Sequence, residues 1–152
     1  MNYKLVFHIL GLILRVEAAL MLPAMVIGFA TGGGDGFAFL YAALITLAAG
    51  QLLSLLPGRG SKMQARDGFA AVALCWIVLS LFGALPYVFA GILPNYVDAV
   101  FETVSGFTTT GATVFTFIEG QPMGILFWRA QTQWMGGMGV LVLALALVPK
   151  LG

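Results

Sequence analysis

One short stretch of the chain concentrates small and hydroxylated residues between two long apolar segments. It runs from Ser105 to Thr113 and has the sequence S-G-F-T-T-T-G-A-T. Threonine side chains are too small to form an apolar plug, and Gly111 can adopt backbone conformations that a Cβ atom disfavours. A loop of this kind at membrane depth can turn carbonyl oxygens toward a cation and replace its water shell. The stretch therefore predicts an ion filter.

Composition places this stretch in an integral membrane protein. The chain has 152 residues, of which 61% are hydrophobic and 9% are charged, whereas soluble domains carry about 25% charged residues. Three blocks contain no charge at all: residues 37–56, 68–97 and 130–149. A transmembrane helix needs roughly 20 such residues. We expect an all-α membrane protein that is surrounded by lipid, and the net charge of +1 argues against nucleic acid as a partner.

Breaks in the apolar pattern divide the chain into two units. The run from Thr31 to Gly36 is rich in glycine, and Pro57-Gly58 ends the second apolar segment. Residues 1–60 are predicted to form an N-terminal pair of transmembrane helices, and residues 61–152 a second unit. The long segments are predicted at Leu5–Ala30, Phe37–Leu56, Gly68–Ala90 and Met123–Pro149.

Charged residues give the orientation. Arg59, Lys62 and Arg66 form a positive cluster after the second segment, and the positive-inside rule places it in the cytoplasm. Both termini are then cytoplasmic. If the first half of segment one lies at the cytoplasmic headgroups, Arg15 and Glu17 can extend their charges to water.

A short amphipathic helix precedes the candidate filter. Asn95 is a good N-cap residue, and the apolar residues that follow, up to Val104, have the spacing i, i+3, i+4, i+7. A helix from Asn95 to Val104 is about 15 Å long, half a membrane. The half-span helix is followed by a glycine-containing loop and then by a return limb from Phe115 to Pro122. This order predicts a re-entrant hairpin. The alternative is an ordinary Thr/Gly loop at the membrane surface.

The order helix, half-helix, loop, helix matches that of K⁺ channels. The string from Thr108 to Gly111 resembles the T-T-V-G part of their filter, but Ala112 and Thr113 stand where those channels have Tyr-Gly. That departure, with Phe101-Glu102 upstream and F-W-R…Q-W-M-G-G-M-G downstream, resembles the TrkH/KtrB family of K⁺ uptake proteins. The resemblance covers the whole chain, as an extra N-terminal helix pair followed by the first of four pore repeats.

The resemblance implies a site and an activity. Backbone carbonyls would ligate dehydrated K⁺, the transported ion, at Thr109, Thr110, Gly111 and Ala112. The setting would be the bacterial inner membrane, with a TrkA-like cytoplasmic nucleotide-binding subunit as regulatory partner. Because this chain brings one repeat, the other three repeats or further copies of the chain must complete the pore. We interpret the chain as a fragment, with assembly of several chains as the alternative.

Residues near the filter are predicted to support it. A charge inside a membrane is costly without a partner, so we expect Glu102 and Arg129 to form an ion pair behind the loop; the alternative is that each reaches the headgroups. Thr108 and Thr113 flank the filter residues. Glycines in the last segment allow either a bend or close packing, and they are Gly136, Gly137 and Gly139.

Two other classes of function are a membrane hydrolase and a non-conducting structural module. A membrane hydrolase with Ser105 or a threonine as nucleophile needs a base within reach, but the only histidine, His8, lies near the opposite membrane surface in this topology. We therefore predict no enzymatic activity. A non-conducting structural or assembly module remains the alternative to K⁺ transport, since a single repeat does not enclose a pore.

Overall fold

The computed structural model describes residues 3–55 and 65–147, with side chains described for residues 3–55 and 67–139. Arg59, Lys62, the side chain of Arg66 and Lys150 lie outside these ranges. Within them the fold is entirely helical, without β-strands. The helices are α1 (Tyr3–Thr31), α2 (Gly36–Ser54), α3 (Ala65–Gly83), α4 (Leu85–Phe89), α5 (Tyr96–Phe107) and α6 (Met123–Leu147).

Helices α1 and α2 form an antiparallel hairpin that brings two glycines into contact. A Cβ atom on Gly11 would lie 2.7 Å from the carbonyl oxygen of Gly50, and one on Gly50 would lie 2.9 Å from that of Gly11. The absence of side chains at this crossing lets the two backbones pack directly. Three stretches are long and apolar enough to cross a membrane in the described part of the chain, namely Tyr3–Thr31, Gly36–Ser54 and Asp67–Phe89.

The predicted third segment is not one uninterrupted helix, because α3 ends at Gly83 and α4 begins at Leu85. Pro86 accounts for the interruption, since its ring removes an N–H donor and clashes with the preceding turn. The carbonyl of Gly83 instead accepts a hydrogen bond from the Trp128 indole Nε1 of α6 at 3.0 Å. Trp128 is fully buried and packs edge-on against Phe39, so it joins the N-terminal hairpin to the rest of the fold.

The half-span helix extends three residues beyond its predicted end. Asn95 caps α5 as expected, because its side chain accepts the N–H of Val97 at 3.1 Å. The helix continues to Phe107 because its last turn packs closely on α6: a Cβ atom on Gly106 would overlap the hydroxyl oxygen of Thr132. Ser105, Gly106 and Phe107 therefore belong to the helix and not to the loop.

Glu17 does not reach water, contrary to the expectation for this part of α1. Its side chain is buried, with 1% exposure, and its carboxylate oxygens have no hydrogen-bond partner among the described residues. It lies against the end of α3, where a Cβ on Gly83 would stand 2.9 Å from Glu17 Oε1. The prediction was wrong because α3 and α6 pack against α1, which the sequence of α1 does not reveal.

Candidate ion-filter loop

The loop after α5 is hydrogen-bonded to the helix that it leaves. The N–H groups of Thr109 and Thr110 donate to the carbonyls of Gly106 and Ser105 at 2.9 and 3.0 Å, and the N–H of Gly111 approaches the Ser105 carbonyl at 3.5 Å. In a planar trans peptide the C=O points opposite to the N–H of the next residue. The carbonyls of Thr108, Thr109 and Thr110 are therefore directed away from α5.

Two residues of this loop have left-handed backbone conformations. Thr109 has a φ of 56° and Gly111 a φ of 78°, whereas Thr110, between them, is not in the positive-φ region. Such alternation rotates successive peptide planes, so that neighbouring carbonyls can face the same side of the chain. A left-handed conformation costs a non-glycine residue about 1 kcal/mol or more, so the contacts around Thr109 must hold it.

The carbonyl of Ala112 has a different environment. It accepts a hydrogen bond from the Ser105 hydroxyl at 2.5 Å, which ties the loop back to α5. A carbonyl oxygen has two lone pairs, so this bond leaves one acceptor position on Ala112 for a cation. Sequence reasoning considered the Ser105 hydroxyl only as a nucleophile, which it rejected, and gave it no part in the loop, although its place in the S-G-F-T-T-T-G-A-T stretch was the available signal.

Glu102 anchors the end of the loop, just before the return limb. Its carboxylate accepts the Thr113 hydroxyl at 2.9 and 3.1 Å, and it accepts the N–H of Val114 at 3.1 Å. The Thr113 oxygen in turn accepts the N–H of Phe115 at 3.1 Å. Because Glu102 is only 2% exposed, these donors supply hydrogen bonds that a buried carboxylate needs.

The ion pair that the sequence predicts is present. Arg129 of α6 donates from Nε to Glu102 Oε1 at 2.5 Å, and its side chain is 17% exposed. A charge-assisted hydrogen bond of this kind is stronger than a neutral one. Glu102 thus joins three parts of the fold: its own helix, the end of the loop at Thr113 and Val114, and α6.

The side chains of the loop lie on the surface of the chain. Thr108, Thr109, Thr110, Gly111 and Ala112 are exposed. The Thr108 hydroxyl donates to the Val104 carbonyl at 2.7 Å and is 2.8 Å from the Thr110 hydroxyl. Among the described residues, the Thr108 hydroxyl bonds to Val104 and Thr110 and not to Glu102, so of the two threonines predicted to support the filter, only Thr113 joins the Glu102 cluster.

The three glycines of α6 have different surroundings. A Cβ on Gly136 would overlap the carbonyl oxygen of Phe107, whereas one on Gly137 would come no closer than 3.8 Å to Thr109 Cγ2, and one on Gly139 no closer than 3.4 Å to Trp76. Helix α6 continues through all three residues without a break. Gly136 is therefore a close-packing position beneath the loop, while Gly137 and Gly139 make ordinary contacts.

Comparison with known proteins gives a consistent result. Residues 35–152 match the TrkH family, described as a cation transport protein. The Trk system potassium uptake protein TrkH of Halomonas elongata is 44% identical over 155 residues, covering 100% of this chain and 32% of the relative. Its Escherichia coli K12 counterpart is 39% identical over 156 residues, with coverage of 100% and 32%.

A solved structure is also similar. The potassium transporter TrkH from Vibrio parahaemolyticus superposes with a TM-score of 0.91 at 36% identity, over 98% of this chain and 32% of that one. The chain thus spans about a third of the length of these relatives. The match confirms the predicted all-α membrane fold, in which a helix pair precedes a helix–pore-loop–helix repeat. The chain belongs to the TrkH family of cation transport proteins.

Proposed function

We propose that this chain forms one quarter of the wall of a K⁺ uptake pathway. The carbonyls of Thr109, Thr110, Gly111 and Ala112 ligate K⁺ that has shed its water, as one of four such loops around the ion. Residues 1–60 form the N-terminal pair, and residues 61–152 form the repeat that carries the loop. The three further repeats come from additional polypeptide, in the same chain or in other copies.

The observation that carries this proposal is the direction of the loop carbonyls. Three successive N–H groups, from Thr109 to Gly111, point back to α5, so the carbonyls of Thr108, Thr109 and Thr110 point away from it. Thr109 and Thr110 are two of the four proposed ligands, and the Ala112 carbonyl is held by the Ser105 hydroxyl. Stacked carbonyl oxygens with modest field strength suit a K⁺-sized ion. Exposure of these residues on a single repeat fits a pathway that lies between repeats and not inside one.

The pore helix adds a favourable field. The C-terminal end of α5, at Phe107, adjoins the loop, and a helix carries about half a negative charge at that end. A cation in front of the loop is therefore stabilised and an anion is disfavoured. In the proposed orientation this end lies at mid-membrane, and both chain termini lie on the cytoplasmic side of the bacterial inner membrane.

The structure gives no support to hydrolase chemistry in the described residues. His8 Nδ1 is 2.9 Å from the carbonyl oxygen of Ser54, at the far end of the N-terminal hairpin, while the Ser105 hydroxyl donates to Ala112. A nucleophile requires its base within hydrogen-bond reach. We propose transport without catalysis, with a TrkA-like nucleotide-binding subunit as the cytoplasmic regulator.

The test compares two glycines that both have a positive φ and open space around them. Gly111 in the loop has a φ of 78° and Gly91, between α4 and α5, has a φ of 70°; neither has an atom within 4 Å of a built Cβ. Serine at either site should cost about 1 kcal/mol of stability. K⁺ flux is measured in proteoliposomes that contain the complete transporter of which this chain is part, either unmodified or with serine at one of the two positions. The amount of protein per liposome is matched.

Gly111→Ser should abolish K⁺ flux, whereas Gly91→Ser should retain it. Equal flux in both variants, or equal loss in both, would remove the filter from the proposal. Reconstitution of this 152-residue chain alone tests the alternative of a non-conducting module. K⁺ flux that depends on Gly111 in that preparation would mean that copies of the chain assemble into a pathway and would exclude the alternative.

A further inference from the structure

Asp35 caps a helix that begins far from it in the sequence. It occupies the N-cap position of α2, yet its side chain makes no capping hydrogen bond to that helix. Its Oδ2 instead accepts the N–H of Ile125, the third residue of α6, at 3.1 Å. A carboxylate at this position satisfies a free N–H of the first turn and is stabilised by the helix dipole.

The space around this carboxylate is provided by two glycines. Asp35 is 1% exposed. A Cβ on Gly28 of α1 would lie 2.8 Å from Oδ1, and a Cβ on Gly124 of α6 would overlap Oδ2. The carboxylate therefore lies between the end of α1 and the first turn of α6, in a gap that any larger residue at either glycine would close.

Helix α6 connects this cap to the filter support. Ile125 and Arg129 are four residues apart, so they lie on the same face in successive turns. Arg129 binds Glu102 at 2.5 Å, and Glu102 holds Thr113 and the N–H of Val114. The height and rotation of the first turn of α6 thus determine whether Arg129 reaches Glu102.

We propose that Asp35 is a positioning residue for ion selection: by fixing the first turn of α6, it sets the Arg129–Glu102 pair that holds the filter loop. The N-terminal helix pair then takes part in ion selection and is more than a membrane anchor. This inference rests on the proposed K⁺ pathway. A purely structural cap would affect only how much protein folds, whereas a positioning residue also changes how the folded protein handles ions.

The experiment compares Asp35→Ala with Asp35→Asn in the full-length transporter expressed in cells. The control is Glu119→Ala, which removes an exposed loop carboxylate. Asparagine keeps an oxygen that can accept the Ile125 N–H. Initial rates of K⁺ and Na⁺ uptake are measured over a range of concentrations and are normalised to the folded protein in the membrane.

Asp35→Ala should raise the KM for K⁺ by up to about fivefold, the limit in which the whole free energy of one lost N-cap falls on the ion-binding conformation, and should lower the K⁺ over Na⁺ preference. Asp35→Asn should restore both values, and Glu119→Ala should leave both unchanged. Gly124→Ala keeps the carboxylate but crowds its Oδ2 and also the Ala24 carbonyl of α1, so it displaces the first turn of α6. It should reproduce the alanine defect and serves as the second variant if Asp35→Ala does not fold.

Unaltered KM and selectivity in the folded fraction of Asp35→Ala and Gly124→Ala would overturn the inference, and so would an Asn variant as defective as Ala. Failure of the underlying function has a different signature. In that case the unmodified protein shows no K⁺ flux that depends on Gly111, whatever residue stands at position 35.

Discussion

Arg129 and Glu102 form a contact between α6 and α5 in which Nε lies 2.5 Å from Oε1. The pair is asymmetric, because the Glu102 side chain is 1% exposed and that of Arg129 is 17% exposed. Loss of the arginine leaves a buried carboxylate with neutral donors only, whereas loss of the glutamate leaves a cation that can still reach polar surroundings. The two single substitutions should therefore differ in cost.

Arg129→Gln is expected to abolish K⁺ uptake and to lower the thermal stability of the purified protein. Removal of one partner of a buried ion pair costs about 3–5 kcal/mol, which is an upper bound for this partly exposed arginine. The matched variant is Arg15→Gln, which changes an exposed arginine of α1. The double variant Glu102→Gln, Arg129→Gln should regain stability without regaining uptake. Normal uptake and abundance in Arg129→Gln would contradict the supporting role of the pair.

Ser105→Ala is expected to weaken the preference for K⁺ over Na⁺ while the fold is retained. The substitution removes the hydrogen bond that holds the Ala112 carbonyl, at a cost of about 1 kcal/mol. Ser80 is an unusually close control, because it is also 5% exposed and its hydroxyl donates to a carbonyl, that of Trp76, within α3. Competition between K⁺ and Na⁺ uptake is the measurement. Identical selectivity in the two variants would show that the Ala112 carbonyl needs no anchor.

Alanine substitutions in α6 separate close packing from a hinge. Gly136→Ala should strongly reduce uptake, because its Cβ would overlap the Phe107 carbonyl and displace the end of α5. Gly137→Ala and Gly139→Ala meet only ordinary contacts, and replacement of a mid-helix glycine by alanine gains up to about 1 kcal/mol. These two should unfold at a higher temperature and keep their uptake. If α6 instead bends at these glycines during transport, all three variants lose uptake together.

The features that the sequence predicts correctly rest on local patterns. The Asn95 cap, the half-span helix and the position of the Thr/Gly loop follow from residues close together in the chain. Glu102 and Arg129 are 27 residues apart, but each is an isolated charge in an apolar segment, so few partners were available to either. In each case one local requirement, such as a cap for a helix end or a partner for a buried charge, is enough to make the prediction without knowing how the helices pack.

What the sequence did not reveal depends on packing between distant segments. Asp35 follows a run of glycines in the break between the first two segments, and nothing near it in the sequence indicates that the Ile125 N–H of α6 lies 3.1 Å from its carboxylate. The burial of Glu17 and the extension of α5 to Phe107 have the same origin. Each depends on which helix covers a given face, and hydrophobic periodicity does not identify the covering helix.

From Thr109 to Val114, the hydrogen bonds between the filter loop and α5 go to three residues of one stretch of that helix. Glu102 holds Thr113 and Val114, while Ser105 and Gly106 accept the N–H groups at the start of the loop. These three residues have the spacing i, i+3, i+4, which places them on one helix face. The backbone conformation of the loop is therefore fixed mainly by its hydrogen bonds to this face of α5, and less by its own threonine side chains. Transfer of the T-T-T-G-A-T segment alone to another hairpin would keep its sequence but lose these anchors. Transfer together with α5 and the Arg129 turn of α6 would keep the anchors as well.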